Sequence, residues 1–267
     1  MTTELIEAYK NGDLILFVGA GVSRALDLPS WNELISQIGE KMGYDRDVFH
    51  SYGDALALAE YYKLKKGSIG PLRSWMDREW HHEGINILNF PVFNAISRGN
   101  YPIVYTTNYD RWLEKSYEAN YQTFRKIISV NDLVGLPPAM RQIIKYHGDF
   151  DDDNSIVLSE SSYYDRLQFE TPLDIKLRAD VLGKSVLFIG YSLTDINVRL
   201  LFYKLTQMWK LYGHSTARPK SYLFATHPNP IQETVLGERG IHMITSEISD
   251  PGKALEKFME TLNESLS

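Results

Sequence analysis

Short apolar runs alternate with longer stretches of helical spacing along most of this chain. The runs at residues 14–18 and 185–190 are continuously apolar, which is typical of parallel strands buried on both faces. Further strands are predicted at residues 102–106, 141–147, 221–226 and 241–244. Because helical segments separate these strands, the pattern predicts an α/β fold with a doubly wound, Rossmann-like parallel sheet.

Helical patterns fill the segments between the predicted strands. Ser30 is a candidate N-cap for the helix that follows it. Residues 45–100 differ from the rest, because several helical patterns follow one another there without a strand between them. We therefore expect one domain over residues 1–267, with a core of residues 1–44 and 101–267 and a helical insertion at 45–100. Helices are predicted at residues 3–10, 31–42, 109–120, 160–182, 195–211 and 251–262.

The composition narrows the class of protein. With 267 residues, 43% of them hydrophobic, the chain is long enough for one large α/β domain. It contains no cysteine, which excludes disulfides, thiolate zinc sites and a cysteine nucleophile. The net charge of −6 and the scattered basic residues argue against direct nucleic-acid binding. No signal peptide or membrane-spanning run is visible, so we expect a cytoplasmic protein with no membrane contact.

Polar residues and glycines follow four of the predicted strands. Parallel strands end at the same edge of a sheet, and ligands of such folds bind in the crevice outside that edge. Loops are polar in general, so a single ending of this kind carries little weight. Four of them together predict a ligand site. The segments are Gly19–Ser23, Thr106–Asp110, His147–Asp149 and Gly190–Asp195.

The first of these segments has the character of a phosphate-binding turn. Gly19 and Gly21 allow backbone angles that other residues resist, and they let a ligand approach the main chain. If a helix begins at Val22 or just after, its free N–H groups suit a phosphate. The alternative is an ordinary turn from a strand into a loop.

Asn108, Asp110 and His147 are the candidates for chemistry. Asn108 offers a donor and an acceptor to an amide or a ribose hydroxyl, and Asp110 accepts from two donors. A neutral His147 would take a proton from a ribose hydroxyl or from water. The alternatives are helix capping by Asn108 with dipole support from Asp110, the same capping role for Asp195, and a structural role for His147.

Other clusters of polar residues have simpler explanations. Asp151, Asp152 and Asp153 are expected to form a solvated turn, because the spacing of a calcium loop is absent. His81 and His82 lack the spacing of a helical metal pair, so we expect both at the surface.

The ordered set of motifs resembles the sirtuin superfamily, the NAD-dependent silent-information-regulator proteins. The resemblance extends from about residue 14 to residue 226 and implies that NAD is bound as a substrate, without a metal. It implies that His147 is the catalytic base and that Asn108 acts with it. It rests on Gly19-Ala20-Gly21-Val22-Ser23, Thr106-Thr107-Asn108-Tyr109-Asp110, Tyr146-His147-Gly148 and Gly190-Tyr191-Ser192-Leu193. The implied NAD-binding residues are Gly19, Ala20, Gly21, Ser23, Thr107, Asp110, Gly190, Tyr191, Ser192 and Asp195.

Departures from the deacylases of that superfamily point to one branch of it. The two Cys-x-x-Cys pairs of their zinc module are absent, and the helices of residues 45–100 would replace it. Thr107 stands where deacylases have glutamine. The chain is more similar to the prokaryotic anti-phage defence branch, whose members cleave NAD to nicotinamide and ADP-ribose. That resemblance implies a homo-oligomer, with sensing by a separate chain such as a HerA-type ATPase or a short Argonaute.

Two other functions stay open at this stage. The chain would be an NAD-dependent protein deacylase without zinc if the helical insertion and the sheet formed a groove for a peptide. It would be a non-catalytic subunit of a defence complex if it bound NAD or ADP-ribose without turnover.

Overall fold

The computed structural model describes residues 1–193, 195–213 and 218–266. Within them, seven strands form one sheet in the order β3-β4-β2-β1-β5-β6-β7, and every neighbouring pair is parallel. The predicted α/β fold with a doubly wound parallel sheet is confirmed. The strands are β1 (Leu14–Val18), β2 (Ile103–Thr106), β3 (Phe124–Ile127), β4 (Arg141–Lys145), β5 (Ser185–Ile189), β6 (Ser221–Ala225) and β7 (Ile241–Thr245).

Helices cover both faces of this sheet. Every residue of β1 is buried, and its side chains alternate between two apolar clusters, with Leu16 in one and Phe17 in the other. This burial on both faces explains the unbroken apolar run at residues 14–18. The helices are α1 (Thr3–Lys10), α2 (Ala20–Ser23), α3 (Trp31–Lys41), α4 (Arg46–Ser51), α5 (Ala55–Lys66), α6 (Gly70–Trp80), α7 (Pro91–Arg98), α8 (Trp112–Ala119), α9 (Glu160–Tyr164), α10 (Pro172–Gly183), α11 (Ile196–Tyr212), α12 (Pro230–Gly237) and α13 (Pro251–Glu264).

The order of the strands creates a switch point beside β1. The chain runs outward from β1 to β2 on one side and later returns to place β5 on the other side, with Val18 opposite both Thr106 and Ile189. The loops that follow β1 and β5 therefore leave the sheet side by side. Crevices at such points are the usual ligand sites of open parallel sheets.

The consecutive helices predicted for residues 45–100 are present as α4 to α7. Side chains of this segment, including Phe49, Leu58 and Met76, belong to the same apolar cluster as Leu14 and Leu16 of β1. The segment thus shares its core with the sheet. The division of the chain into a core and an insertion remains a prediction.

Strand β3 and helix α12 are among the elements that escaped the sequence analysis. Strand β3 has only one fully buried residue, Ile127, and its exposed Arg125 is typical of an edge strand. Helix α12 lies between β6 and β7, and only its Leu236 is buried. Neither element carries the apolar periodicity on which such predictions depend. No helix of the described residues is long and apolar enough to cross a membrane.

Candidate active site

One cleft at the carboxyl edge of the sheet brings the predicted site residues together. Its volume is about 1500 Å³, and its walls come from the loops after β1, β2, β4, β5 and β6 together with parts of α3, α7 and α13. Gly19 is the only predicted site residue outside the lining. The predicted residues that line the cleft are Ala20, Gly21, Ser23, Thr107, Asn108, Asp110, His147, Gly190, Tyr191, Ser192 and Asp195.

The glycines of the cleft are needed for close packing between two loops. A Cβ atom at Gly19 would lie 2.4 Å from the carbonyl oxygen of Gly190, and one at Gly21 would lie 2.9 Å from its Cα. Gly19 is extended with φ of −107°, and Gly21 lies within α2. The prediction of special backbone angles at these two residues is therefore wrong. Among the described glycines that line the cleft, Gly190 is the one with positive φ, at +57°.

Most of the N–H groups predicted to face a phosphate are already bonded within the protein. Gly21 donates to the Gly190 carbonyl at 2.8 Å, and Val22 donates to Gly19 at 3.1 Å. The helix begins at Ala20, earlier than predicted, and gives way after Ser23 to a 3₁₀ turn. In this conformation the turn holds the loops after β1 and β5 together, because Gly19 also donates to Ile189 at 2.9 Å.

Asn108, Ser23 and Asp110 form a buried chain of hydrogen bonds. The Asn108 amide Nδ2 donates to Ser23 Oγ at 3.1 Å, and Ser23 Oγ donates to Asp110 Oδ2 at 2.8 Å. Nδ2 also donates to the Gly19 carbonyl at 3.2 Å. Ser23 lies in the predicted phosphate-binding turn, but its hydroxyl donates its hydrogen to the Asp110 carboxylate. This chain of bonds fixes the loop after β2 against the loop after β1.

The capping alternative for Asn108 is wrong. Helix α8 begins at Trp112, and the residue that precedes it, Arg111, makes no capping bond through its side chain. Asp110 supports the first turn instead, because its Oδ1 accepts from the Trp112 N–H at 3.1 Å. Since the Asn108 amide nitrogen is engaged, its carbonyl Oδ1 is the group that could accept a hydrogen bond from a ligand or a water.

His147 lies against Asp195 across the cleft. Its Nε2 is 3.1 Å from Asp195 Oδ2 but is not aligned for a hydrogen bond, and the two side chains are 3% and 8% exposed. Burial raises the pKa of Asp195, but the neighbouring His147 imidazole and bonds from the N–H groups of Asn197 and Val198 outweigh that effect. The pKa of Asp195 therefore lies below its ordinary value. Asp195 was predicted as an NAD-binding residue with helix capping as the alternative, and it does cap α11.

Four tyrosines surround this pair, and their side chains were not predicted as parts of the site, except for Tyr191. The Tyr146 ring stacks on His147 with centroids 5.6 Å apart, and the Tyr163 ring meets it edge-on at 5.3 Å. The charge of Asp195 acts on all four phenols, and burial raises the pKa of each, so they are neutral at physiological pH. Their positions next to the motifs are the signal in the sequence: Tyr109, Tyr146 and Tyr191 each adjoin a predicted site residue.

Side chains of alternating charge form a chain of ion pairs from Asp77 to Glu114. It connects α6 with α8, β3 and β4, and Lys145 at its buried end donates to the main-chain carbonyl of Asp110. Burial raises the pKa of Glu114, the neighbour of Lys145 at 3.4 Å. The members in order are Asp77, Arg111, Asp151, Lys126, Asp149, Lys145 and Glu114.

The prediction that Asp151, Asp152 and Asp153 form a solvated turn needs correction. Asp151 and Asp153 are not simply solvated, because Asp151 pairs with Arg111 and Lys126, and Asp153 pairs with Arg73 at 2.6 Å. Among the residues that the structure describes, no cluster of acidic and histidine side chains could hold a metal ion.

The side chain of His81 is largely covered, contrary to the prediction that it lies at the surface. Its side chain is 8% exposed, and its Nε2 accepts from the Arg111 N–H at 2.9 Å. Its Nδ1 lies 2.8 Å from Asp77 Oδ1. His82 is exposed, as predicted.

Comparisons with known proteins identify relatives of this chain. The chain is 28% identical to Defense-associated sirtuin 2 of Bacillus subtilis over 240 residues, which are 87% of this chain and 23% of that protein. It is 30% identical to the NAD(+) hydrolase ThsA of Enterococcus faecium over 196 residues, which are 72% and 40% of the two proteins. The ThsA of Bacillus cereus (strain MSX-D12) is 27% identical over 205 residues, 76% and 41% of the two. The chain thus spans less than half the length of these curated relatives.

Similarity in structure extends over the whole chain. A solved structure from a study of the structural basis for the mechanism and regulation of Sir2 enzymes matches with a TM-score of 0.50. It is 14% identical, and the match covers 99% of each chain, so it supports the fold alone. The model of the SIR2-like domain matches residues 102–244, which hold β2 to β6, nearly all of β7 and the cleft loops that carry Asn108, His147 and Gly190. This chain therefore belongs to the SIR2-like domain family.

Proposed function

We propose that this protein is an NAD⁺ hydrolase of a defence system. It would break the bond between nicotinamide and ribose, with water as the acceptor, to give nicotinamide, ADP-ribose and a proton. The observation that carries the proposal is the meeting of the Asn108 and His147 loops with the Gly190 loop in one cleft at the switch point. The names of the ThsA NAD(+) hydrolases and of the defence-associated sirtuin support it.

In this proposal, the two ends of the cleft bind the two ends of the dinucleotide. The exposed backbone at Ala20 and Gly21 and the loop from Gly190 to Ser192 hold the pyrophosphate and the adenosine. Thr107, Asn108 and Asp110 bind the nicotinamide ribose. The bond between Ser23 and Asp110 gives Ser23 an indirect part, because it keeps the carboxylate in place.

The proposed reaction does not need a general acid. Nicotinamide leaves as a neutral molecule from a cationic ring, so the bond needs no proton to break. The ribose becomes oxocarbenium-like, and the negative charge of Asp110 and Asp195 along the cleft favours that cation. Asn108 Oδ1 orients the attacking water, and His147 accepts the proton that the water or a ribose hydroxyl gives up. The new bond joins the water oxygen to the anomeric carbon.

Product analysis after addition of NAD tests this proposal. We expect nicotinamide and ADP-ribose in equal amounts from the purified protein. His147→Ala should lower the rate by about 10² to 10⁴, the usual contribution of a positioned base. His82→Ala removes an exposed imidazole outside the cleft and should keep the wild-type rate. Wild-type activity in His147→Ala would contradict the assignment.

The same assay separates the other candidate functions. An acyl-lysine peptide added with NAD would yield acyl-ADP-ribose if the protein were a deacylase. Binding of NAD or ADP-ribose without any turnover would indicate a non-catalytic subunit. Either result would replace the hydrolase proposal.

We further propose that assembly controls the hydrolysis, since uncontrolled cleavage of NAD would be toxic to the host. The expected partners are further copies of this chain or a separate sensor chain. Mass photometry with and without NAD, run beside the activity assay, tests this. We expect active samples to contain oligomers, and a fully active monomer would contradict the idea.

A further inference from the structure

The contact between His147 and Asp195 joins the two sides of the switch point. His147 follows β4, and Asp195 lies in the loop between β5 and α11. The Asp195 carboxylate is itself held in place, because its Oδ1 accepts from the N–H groups of Asn197 at 2.8 Å and Val198 at 3.2 Å. Its Oδ2 lies 3.1 Å from Nε2 of the imidazole. A carboxylate anchored in this way can hold a ring in one orientation.

We propose that Asp195 is the positioning residue of the catalytic base. It keeps the proton of neutral His147 on Nε2, so that Nδ1 carries the lone pair that accepts the proton in hydrolysis. The part of this inference that concerns turnover rests on the function proposed above, whereas the tautomer is a property of the protein alone.

The chemistry of the pair leads to this assignment. An ionised carboxylate only accepts hydrogen bonds, so the ring nitrogen facing it must carry the hydrogen. A neutral imidazole has one N–H, and the other nitrogen is then the base. When Nδ1 takes a proton, the ring becomes a cation, and the neighbouring carboxylate stabilises it. The poor alignment of the 3.1 Å contact is common in catalytic sites without a ligand.

Among the side chains described in direct contact with the imidazole, Asp195 is the charged one. The rings of Tyr146 and Tyr163 pack on His147 and are neutral. Arg166 lies over the Tyr146 ring at 3.9 Å, but its charge is paired with Asp174. Tyr109 and Tyr191 approach from the loops after β2 and β5 as neutral phenols.

The variant Asp195→Asn tests the proposal with little risk to the fold. Asparagine caps helices about as well as aspartate, so α11 keeps its first turn. The amide cannot enforce a hydrogen on Nε2, and its nitrogen can donate to Nε2 and drive the proton to Nδ1. We expect kcat to fall by about 10² or more while KM for NAD changes little, since the loss falls on the chemical step. A kcat within about twofold of wild type would overturn the proposal.

Two further measurements separate positioning from structure. Asp45→Asn is the matched control, because Asp45 caps α4 through bonds to Asp47 and Val48 and lies outside the cleft. It should leave kcat unchanged. ¹⁵N NMR of histidine-labelled protein, with the His147 signal assigned from its loss in His147→Ala, reads the tautomer without any NAD. We expect hydrogen on Nε2 in the wild type and on Nδ1 in Asp195→Asn. Hydrogen on Nδ1 in the wild type would overturn the proposal even if NAD were hydrolysed.

Discussion

The Ser23 hydroxyl shows how a single side chain can act through its neighbours. It accepts from the Asn108 amide and donates to the Asp110 carboxylate, and all three side chains are buried. A buried chain of this kind is rigid when every member is satisfied and costly when one is removed. Ser23 therefore ties the position of Asn108 to that of Asp110.

His81 gives a prediction about pH. Its Nε2 accepts a hydrogen bond from the main-chain N–H of Arg111, which a neutral ring can do. Burial lowers the pKa of His81 below the ordinary 6.5, and the nearby Asp77 only partly opposes this. As the pH falls below about 6.5, the unfolded chain binds a proton before the folded protein does. The free energy of unfolding should therefore decrease from pH 7.5 to pH 5.5.

Urea denaturation at the two pH values measures this effect. His81→Asn should show a smaller decrease between them than the wild type, because the titrating group is gone. His82→Asn changes an exposed ring and should behave like the wild type. An equal pH dependence in His81→Asn and the wild type would show that His81 is not responsible.

At the scale of elements, the loops after β1 and β5 depend on each other. A Cβ atom at Gly19 would meet the Gly190 carbonyl at 2.4 Å and the Tyr191 Cα at 2.9 Å, and neither main-chain atom can move alone. We expect Gly19→Ala to lower the free energy of unfolding by about 1–3 kcal/mol and to weaken NAD binding by separating the loops. Chemical denaturation and calorimetric titration with NAD measure the two effects.

Gly183 provides the matched control for that substitution. It is the last residue of α10, and a Cβ atom there would have open space around it. Gly183→Ala should change the stability by less than about 1 kcal/mol and leave NAD binding intact. Similar effects of the two substitutions would contradict the packing role of Gly19.

The sequence allowed prediction of the elements whose patterns are strong. The apolar run of β1 and the Ser30 N-cap of α3 located those elements closely. The start of α8 was placed three residues early, because Asn108 looked like a cap, while its amide bonds to residues of the β1 loop. That bond depends on which strands are neighbours, and spacing along the chain does not report it.

The site could be predicted as a set of loops and not as a set of contacts. The motifs identified the residues around the cleft, but the approach of Asp195 to His147 follows from β5 lying next to β1 while β4 lies beyond β2. Buried partners such as Lys145 resemble surface charges in the sequence. Their burial is decided by the packing of several elements.

Across the whole molecule, Lys145 connects the charged chain to the site. Its ammonium is fully buried, donates to the Asp110 carbonyl, and lies 3.5 Å from Asp149 and 3.4 Å from Glu114. We expect Lys145→Met to lower the free energy of unfolding by about 3–5 kcal/mol, because buried acidic groups lose their cation. Chemical denaturation measures this.

A surface ion pair offers the comparison. Lys184 pairs with Asp13 at 2.8 Å, and the two side chains are 33% and 57% exposed. Lys184→Met should cost less than about 1 kcal/mol. If Lys145→Met were as mild, the charged chain would not support the site.

The central claim is that His147 acts on NAD that the converging loops hold. The most direct test measures NAD binding and nicotinamide release on the same sample of His147→Ala. We predict that the variant binds NAD with an affinity close to that of the wild type and releases almost no nicotinamide. Release at the wild-type rate would contradict the account.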